Sequence, residues 1–332
     1  MQRKIIYDTD PGVDDAMALY YALAHPALDV VAMTTTFGNV QVEQAAQNAL
    51  YLSALTGRSI PVALGAAQPL VKPPQSPPAN IHGADGLGNL PTRIPVTGSP
   101  DPRTAAQMIV DLAHAQPGEL TLVAVGPLGN LAAALEMEPQ LPALLREVVL
   151  MGGTVMEAGN VSPVAEANIW NDPHSADIVF SAGWPLTMVG LDVTHQVILP
   201  VTLFERIAAH HQHLATDTLL HAVRFYANFY SNLYPHVAAI HGCFAHDVLA
   251  FLYLTDPDLF TLQQGRIRVA VDGLAQGQTM LRRKDIEYSQ SGWESHIPDS
   301  QVCINIEADT ARQRIESTLM RNDLIFHGCI RV

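Results

Sequence analysis

The sequence predicts an α/β fold: an open, mostly parallel sheet flanked by helices, with a Rossmann-like core and a mostly helical C-terminal third. Three observations predict it. Apolar, β-branched runs alternate with segments of helical periodicity along much of the 332-residue chain, the order that gives a parallel sheet with helices on both faces. Hydrophobic residues make up 48% of the chain and charged residues only 15%, so a large share of it must be buried. A cluster of carboxylates stands where the first strand ends and the first helix begins, the edge at which open α/β sheets bind ligands.

Ile5, Ile6 and Tyr7 read as a buried strand, Pro11 and Gly12 as a turn, and Ala16 onward as a helix to about His25. Asp8, Asp10, Asp14 and Asp15 fall inside this strand–turn–helix. Close carboxylates raise one another's pKa unless a cation or proton intervenes, and oxygen donors suit a hard divalent cation. Residues 29–36 read as a second strand ending in Phe37-Gly38-Asn39, residues 43–56 as a helix, and residues 60–64 as a third strand. Residues 65–102 are proline-rich and irregular, and a loop this long in a compact domain is usually functional or disordered. Order resumes with a helix over 104–115 and a strand over 120–125, closed by Gly126-Pro127. A strand over 148–151 ends in Gly152-Gly153, and a strand over 186–191 leads into Asp192. From about Val201 the pattern turns mostly helical, over 201–209, 217–232 and 246–254. Residues 266–271 and 301–306 read as late edge strands, and residues 311–320 as a closing helix. No internal repeat or linker divides the chain, so we expect one domain over 1–321 and a tail over 322–332 without an assigned role.

A net charge of −14 makes a phosphate backbone or an anionic membrane a poor partner. Cys243, Cys303 and Cys329 are far apart and form no CxxC pair, which argues against a disulfide framework or a zinc ribbon and suits a reducing cytoplasm. The first residues run directly into a strand, so no signal peptide is expected. The apolar stretch 120–135 is broken by Gly126, Pro127 and Gly129 and is not a membrane span. His210, His211 and His213 lack a polar frame and read as a solvated helix end rather than a metal site.

Parallel strands deliver their C-terminal ends to one edge, so Asp10, Asp14, Asp15, Asn39, Val125, Met151 and Asp192 should converge, and Asp247 joins them if the later helix packs over that edge. The blocks at these points can be read together: Asp8-Thr9-Asp10-Pro11-Gly12-Val13-Asp14-Asp15, Asn80-Ile81-His82-Gly83, Val125-Gly126-Pro127-Leu128 and Val149-Leu150-Met151-Gly152-Gly153. Asn160 with Ala165-Glu166-Ala167-Asn168-Ile169, Gly190-Leu191-Asp192-Val193-Thr194 and His246-Asp247 complete the series. In this order they resemble the inosine-uridine-preferring nucleoside hydrolases, to about residue 306.

The resemblance implies a nucleoside hydrolase-like sheet and a calcium-dependent N-ribohydrolase that cleaves a nucleoside to ribose and free base. It implies that Asp10, Asp15 and Asp247 give Ca2+ their carboxylate oxygens and Val125 a backbone carbonyl. Asp10 would also be the general base for a metal-activated water attacking C1′ of an oxocarbenium-like ribosyl centre. Asp14 would bind the 2′-hydroxyl, and Asn39 and Asn168 would orient ribose hydroxyls or the water. Asn160 and Glu166 would hold the 5′-hydroxyl, with Met151 in the same substrate wall. His246, and as a second candidate His82, would assist the departing base. Residues 195–243 match the family loosely, yet the base pocket is expected there. Tyr226 and Tyr230 are four apart, share a helix face and could stack on a base. A broad or pyrimidine-tolerant choice of nucleoside and a homodimer or homotetramer complete the implied picture.

Two other readings stand beside it. Asp8-Thr9-Asp10 also fits the Asp-x-Asp nucleophile motif of haloacid-dehalogenase-type phosphatases. That reading wants Thr or Val where Gly12 stands, and a later lysine, for which only Lys4, Lys72 and Lys284 exist. A non-catalytic, calcium-dependent nucleoside-binding protein is the other. The joint presence of Asp10, Asp14, Asn168, His246 and Asp247 argues against it.

Overall fold

The computed structural model describes residues 2–95, 98–283, 288–290, 292–293 and 298–321. Lys284, Cys329 and the tail from Asn322 lie outside the described residues. The chain opens with β1 (Arg3–Thr9), whose Ile5, Ile6 and Tyr7 are buried, as a central parallel strand covered on both faces requires. Pro11 and Gly12 end it. Helix α1 (Val13–Ala24) follows with Asp14 and Asp15 in its first turn, where the helix dipole favours negative charge, and every residue of α1 is buried. Then come β2 (Leu28–Thr35), α2 (Val42–Leu55) and β3 (Val62–Leu64). The proline-rich segment contains one short helical turn, α3 (Ala79–His82), before β4 (Asp101–Thr104) and α4 (Ala105–Ala115).

The second half of the parallel sheet is built from β5 (Leu120–Ala124), α5 (Gly129–Met137), α6 (Leu141–Leu144), β6 (Glu147–Met151), α7 (Ala167–Asn171), α8 (Pro173–Ser181), β7 (Leu186–Val189) and α9 (Leu191–Thr194). A small antiparallel pair, β8 (Ile198–Pro200) and β9 (Gly242–Phe244), brackets α10 (Val201–His211), α11 (Leu214–Leu233) and α12 (Pro235–Ile240). Helix α13 (Val248–Thr255), strands β10 (Phe260–Val269), β11 (Thr279–Arg282) and β12 (Ser300–Ile306), and α14 (Ala308–Leu319) finish the described chain.

The ten-stranded sheet has the order β11-β10-β12-β7-β6-β5-β1-β2-β3-β4. Pairings from β4 across to β12 are parallel, and β10 pairs antiparallel with both β12 and β11. Strand order reverses between β1 and β5. A crevice opens at such a switch point, beyond the carboxyl ends of the strands. One core layer gathers residues of α1, α2, α10, α11 and α13 on one face of the sheet, and the other gathers residues of α4, α5 and α8 on the opposite face.

Three expectations are corrected. Thr104 closes the edge strand β4 and caps α4 through Gln107 N instead of lying in the helix. Pro102 hides that strand in the sequence, since proline is tolerated in sheets mainly at edges. The late strand β12 is internal: Gln301 and Val302 pair with Thr187 and Met188 of β7 on one side, and β10 covers the other. Strand β10 begins at Phe260, earlier than the alternation suggested, because β12 supplies partners along that stretch. His213 caps α11 by accepting from Ala215 N, and His211 Nε2 bonds the Leu319 carbonyl oxygen, so the histidine-rich stretch serves helix ends.

Candidate active site

The acidic turn after β1 gives each carboxylate a different surrounding. Asp8 Oδ2 accepts from Thr34 Oγ1 at 2.6 Å and Asn130 Nδ2 at 2.7 Å, tying β1 to β2 and α5. Burial raises Asp8 to about 7, against the lowering effect of those two donors. Asp15 accepts from Thr9 Oγ1 and Asp10 N through one oxygen, and from Gly12 N at 2.8 Å and Asn39 Nδ2 at 3.0 Å through the other. Asp10 Oδ2 accepts from Asn39 N at 2.7 Å, while its buried Oδ1 has no hydrogen-bond partner. Gly126 packs so close that a Cβ there would sit 2.6 Å from that oxygen, which is why the turn after β5 needs glycine. Asp14 Oδ2 accepts from Tyr226 Oη at 3.1 Å, and its buried Oδ1, also unpartnered, lies 3.8 Å from His82 Nδ1.

Asp247 enters from the turn before α13. One oxygen each of Asp14, Asp15 and Asp247 lies within 4.8 Å of the others, and this is the only such group among the described residues. Burial, and then mutual repulsion, push the proton affinity of Asp10, Asp14 and Asp247 up, Asp14 to about 8. Burial also raises Asp15, partly offset by its hydrogen bonds. An acidic cluster held dry in this way is unfavourable unless a cation or protons neutralise it. The donors are all oxygen and Asp14 retains an unpartnered buried oxygen, so the group could hold a hard metal ion. Asp10, expected as a ligand, is not one of the three, though it keeps an unpartnered buried oxygen in the same turn. Val125 follows β5 across the switch point, where its N donates to Asp8 O at 2.9 Å.

A polar wall follows β6. Glu166 caps α7: Oε1 accepts from Asn168 N at 2.9 Å, and Oε2 from Gly153 N at 2.9 Å and Ile169 N at 3.1 Å. Burial raises Glu166, and these amides oppose the rise. Asn168 Nδ2 donates to Val125 O at 2.7 Å and to Met151 O at 3.2 Å. Asn160 Oδ1 accepts from Ala167 N at 3.0 Å. Asp192 was expected at the same edge. Its carboxylate instead accepts from Val155 N, Met156 N and Glu157 N, holding the loop behind the wall.

The helical side carries a chain of hydrogen bonds from Asp14 through Tyr226, Tyr230 and His246 to Thr194. When Asp14 is ionised, as a bound cation would keep it, it only accepts, so Tyr226 donates to it. Tyr230 must then donate to Tyr226, and His246 Nε2–H to Tyr230 Oη at 2.9 Å. Nδ1 is left to accept from Thr194 Oγ1 at 2.8 Å. Burial lowers His246 well below the usual histidine range, and it lowers His82 to about 3, so both imidazoles are neutral. His82 Nδ1 accepts from Val13 N at 3.2 Å, and its ring lies 5.1 Å from that of Tyr226. The Tyr226 and Tyr230 rings meet edge to face at 4.8 Å, so they pack on each other while their hydroxyls serve the site.

These residues enclose a narrow cleft of about 80 Å³. Of the residues expected to act on the metal or substrate, all line it except Asp10 and Asp15, which are buried. Pro78, Ile81 and Asn171 also line it, though nothing in the sequence assigns any of them a role of its own. Thr194, likewise unforeseen as a site partner, closes a block that stood out in the sequence. A larger groove of about 600 Å³ outside α5 and α8 contains none of these groups.

The sequence profile of the inosine-uridine preferring nucleoside hydrolases matches residues 5–313. The chain belongs to this nucleoside hydrolase family. As a nucleoside hydrolase it is an N-ribohydrolase, acting on the N-glycosidic bond of ribonucleosides. It is 37% identical over 323 residues to the Probable uridine nucleosidase 2 of Arabidopsis thaliana, covering 97% of this chain and 98% of that one. A solved plant nucleoside hydrolase superposes with a TM-score of 0.90 at 34% identity, covering 97% of this chain and all (100%) of that one. A purine-preferring ribonucleoside hydrolase from Gardnerella vaginalis superposes with a TM-score of 0.87 at 31% identity, covering 96% and 98%. The phosphatase reading falls with this family assignment, and Asp8, its required nucleophile, is fully buried. Among the described residues no helix is long and apolar enough to cross a membrane.

Proposed function

We propose that the chain hydrolyses ribonucleosides to ribose and free base in a calcium-dependent reaction, with uridine among its substrates and a broad or pyrimidine-tolerant base choice. The observation that carries the metal reading is the all-oxygen group of Asp14, Asp15 and Asp247, in which Asp14 Oδ1 has no partner, with the unpartnered Asp10 Oδ1 in the same turn. Asp10, Asp15, Asp247 and the Val125 carbonyl would hold Ca2+, which when bound supplies positive charge that makes a nearby water more acidic and anchors ribose hydroxyls. Asp10 takes the proton of the attacking water as general base. Asp14 accepts from the 2′-hydroxyl, Asn39 and Asn168 orient the ribose, and Asn160, Glu166 and Met151 bound its 5′ side. The surrounding carboxylates favour the positive charge that develops at C1′ as the bond to the base breaks.

His246, kept uncharged by burial, assists the leaving base by turning its Nε2–H from Tyr230 Oη to the base as a hydrogen bond, without giving up the proton. The chain from Asp14 through Tyr226 and Tyr230 sets the tautomer that carries the proton on Nε2, and Thr194 Oγ1 then donates to Nδ1. Tyr230 and Tyr226 connect that proton to Asp14. His82 and the edges of Tyr226 and Tyr230 form the base side of the cleft. The Arabidopsis relative's name supports uridine as a substrate, and the purine-preferring structure supports breadth. Two buried free cysteines, Cys243 and Cys303, suit a cytoplasmic setting, and we expect a homodimer or homotetramer by light scattering.

The test is base release from uridine, cytidine, inosine and adenosine, with a chelator and after calcium is restored. Uridine and inosine should be hydrolysed, the activity lost with the chelator and recovered with calcium. No base release in the presence of calcium would overturn the proposal.

A further inference from the structure

One wall of the cleft is held from outside it. Helix α7 presents Asn168 and Asn171 to the cleft but is only five residues long. So short a helix does not hold itself in place, because each new turn is costly to nucleate. Glu166 fixes its N-terminal end. The proline-rich segment fixes the other end. Lys72 Nζ donates to the Trp170 carbonyl at 2.9 Å and lies over the Trp170 ring. Leu70 N donates to Asp172 Oδ2 at 3.1 Å. Residues 70–72 thereby grip positions 170 and 172, on either side of Asn171. The β10–β11 hairpin also packs against Trp170. Gly277, at φ +84°, comes so near that a Cβ there would sit 2.7 Å from Trp170 Cα. Past Lys72 the same segment runs on to Pro78, Ile81 and His82, which line the cleft too.

We propose that Lys72 is a positioning residue for substrate binding, setting Asn168 and Asn171 against the ribose through its two contacts with Trp170. The inference rests on the reading of Asn168 as a ribose contact. Lys72 is outside the lining of the cleft, so it acts only through α7. Its chemistry suits the place: a cation is favoured at the carbonyl end of a helix and over an indole face, more so when partly desolvated. Burial pulls the Lys72 amine down to about 8 while Asp172 acts the other way, so the amine remains mostly charged at pH 7. The chain has only two other lysines, Lys4 and Lys284.

The experiment compares wild type, Lys72→Met, Lys72→Arg and Asn168→Ala in steady-state uridine hydrolysis, and follows tryptophan emission in Lys72→Met with and without Trp170→Phe. Methionine keeps the length and removes the charge. Lys72→Met should raise KM roughly three- to tenfold with kcat within about twofold of wild type, the size of a partly desolvated cation–aromatic contact. Lys72→Arg, which keeps a cation and a donor, should recover most of that loss. Lys72→Met should shift the emission, and the shift should vanish in the Trp170→Phe background. An unchanged KM, a loss confined to kcat, or an equal loss in Lys72→Arg would overturn the role of Lys72. Asn168→Ala separates the two readings. If it leaves KM unchanged, the ribose assignment fails. If it raises KM while Lys72→Met does not, only the Lys72 inference fails.

Discussion

In the loops after β6 and β7, Glu166 and Asp192 each accept from three backbone amides, whereas in the turn after β1 Asp10 and Asp14 each keep a buried oxygen with no partner. All four side chains are buried, so burial does not separate them. Satisfaction does. A carboxylate whose oxygens are filled by main-chain N–H groups fixes a loop and gains little from anything further. One left short of donors among like charges is poised for a cation or for substrate hydroxyls. The comparison assigns Asp192 to the scaffold and Asp10 and Asp14 to chemistry, while Asp15 in the same turn has both oxygens hydrogen-bonded. Glu166 stands between them, because it caps α7 and also lines the cleft.

Substitutions can break this comparison, and their expected effects fall in order. Asp10→Asn should keep the fold and lower kcat by roughly 10²- to 10⁴-fold, the usual weight of a general base. Near-wild-type turnover would remove Asp10 from that role. His246→Ala should lower kcat by about 10²-fold. Tyr230→Phe, which interrupts the proton path but keeps the ring, should lower it by about tenfold, and equal losses in the two would mean that His246 acts only through Tyr230. Asp192→Ala should leave kcat/KM within about twofold while costing about 1–3 kcal/mol of stability in urea unfolding, since three amides lose their acceptor. A large loss of activity with unchanged stability would reverse the assignment.

The strand–turn–helix at the N-terminus was legible because its signals are local. Apolar residues, Pro11-Gly12 and the carboxylates all fall within one short segment. The alternation of elements was legible through β7 except for β4, which Pro102 hides. Strand β12 was not, since its pairing with β7 joins residues more than a hundred positions apart, from Thr187 to Gln301, and leaves no local trace. In the cleft, the i, i+4 spacing of Tyr226 and Tyr230 told which face they share. Only the fold places their hydroxyls between Asp14 and His246. The proposed roles of Asn160, Asn168 and Asp247 came from the family resemblance, because an isolated asparagine or aspartate in a loop carries no signal of its own.

The central claim is that the unsatisfied carboxylates are kept for a calcium ion, and thermal unfolding tests it most directly. Metal-stripped wild type and Asp247→Asn are melted with and without calcium. Removing one of several repelling carboxylates should make the metal-free variant melt above the metal-free wild type. Calcium should raise the melting temperature of the wild type, as any ligand that binds only the folded state does, and leave the variant nearly unmoved. A wild type that ignores calcium, or a variant stabilised as strongly as the wild type, would contradict the account.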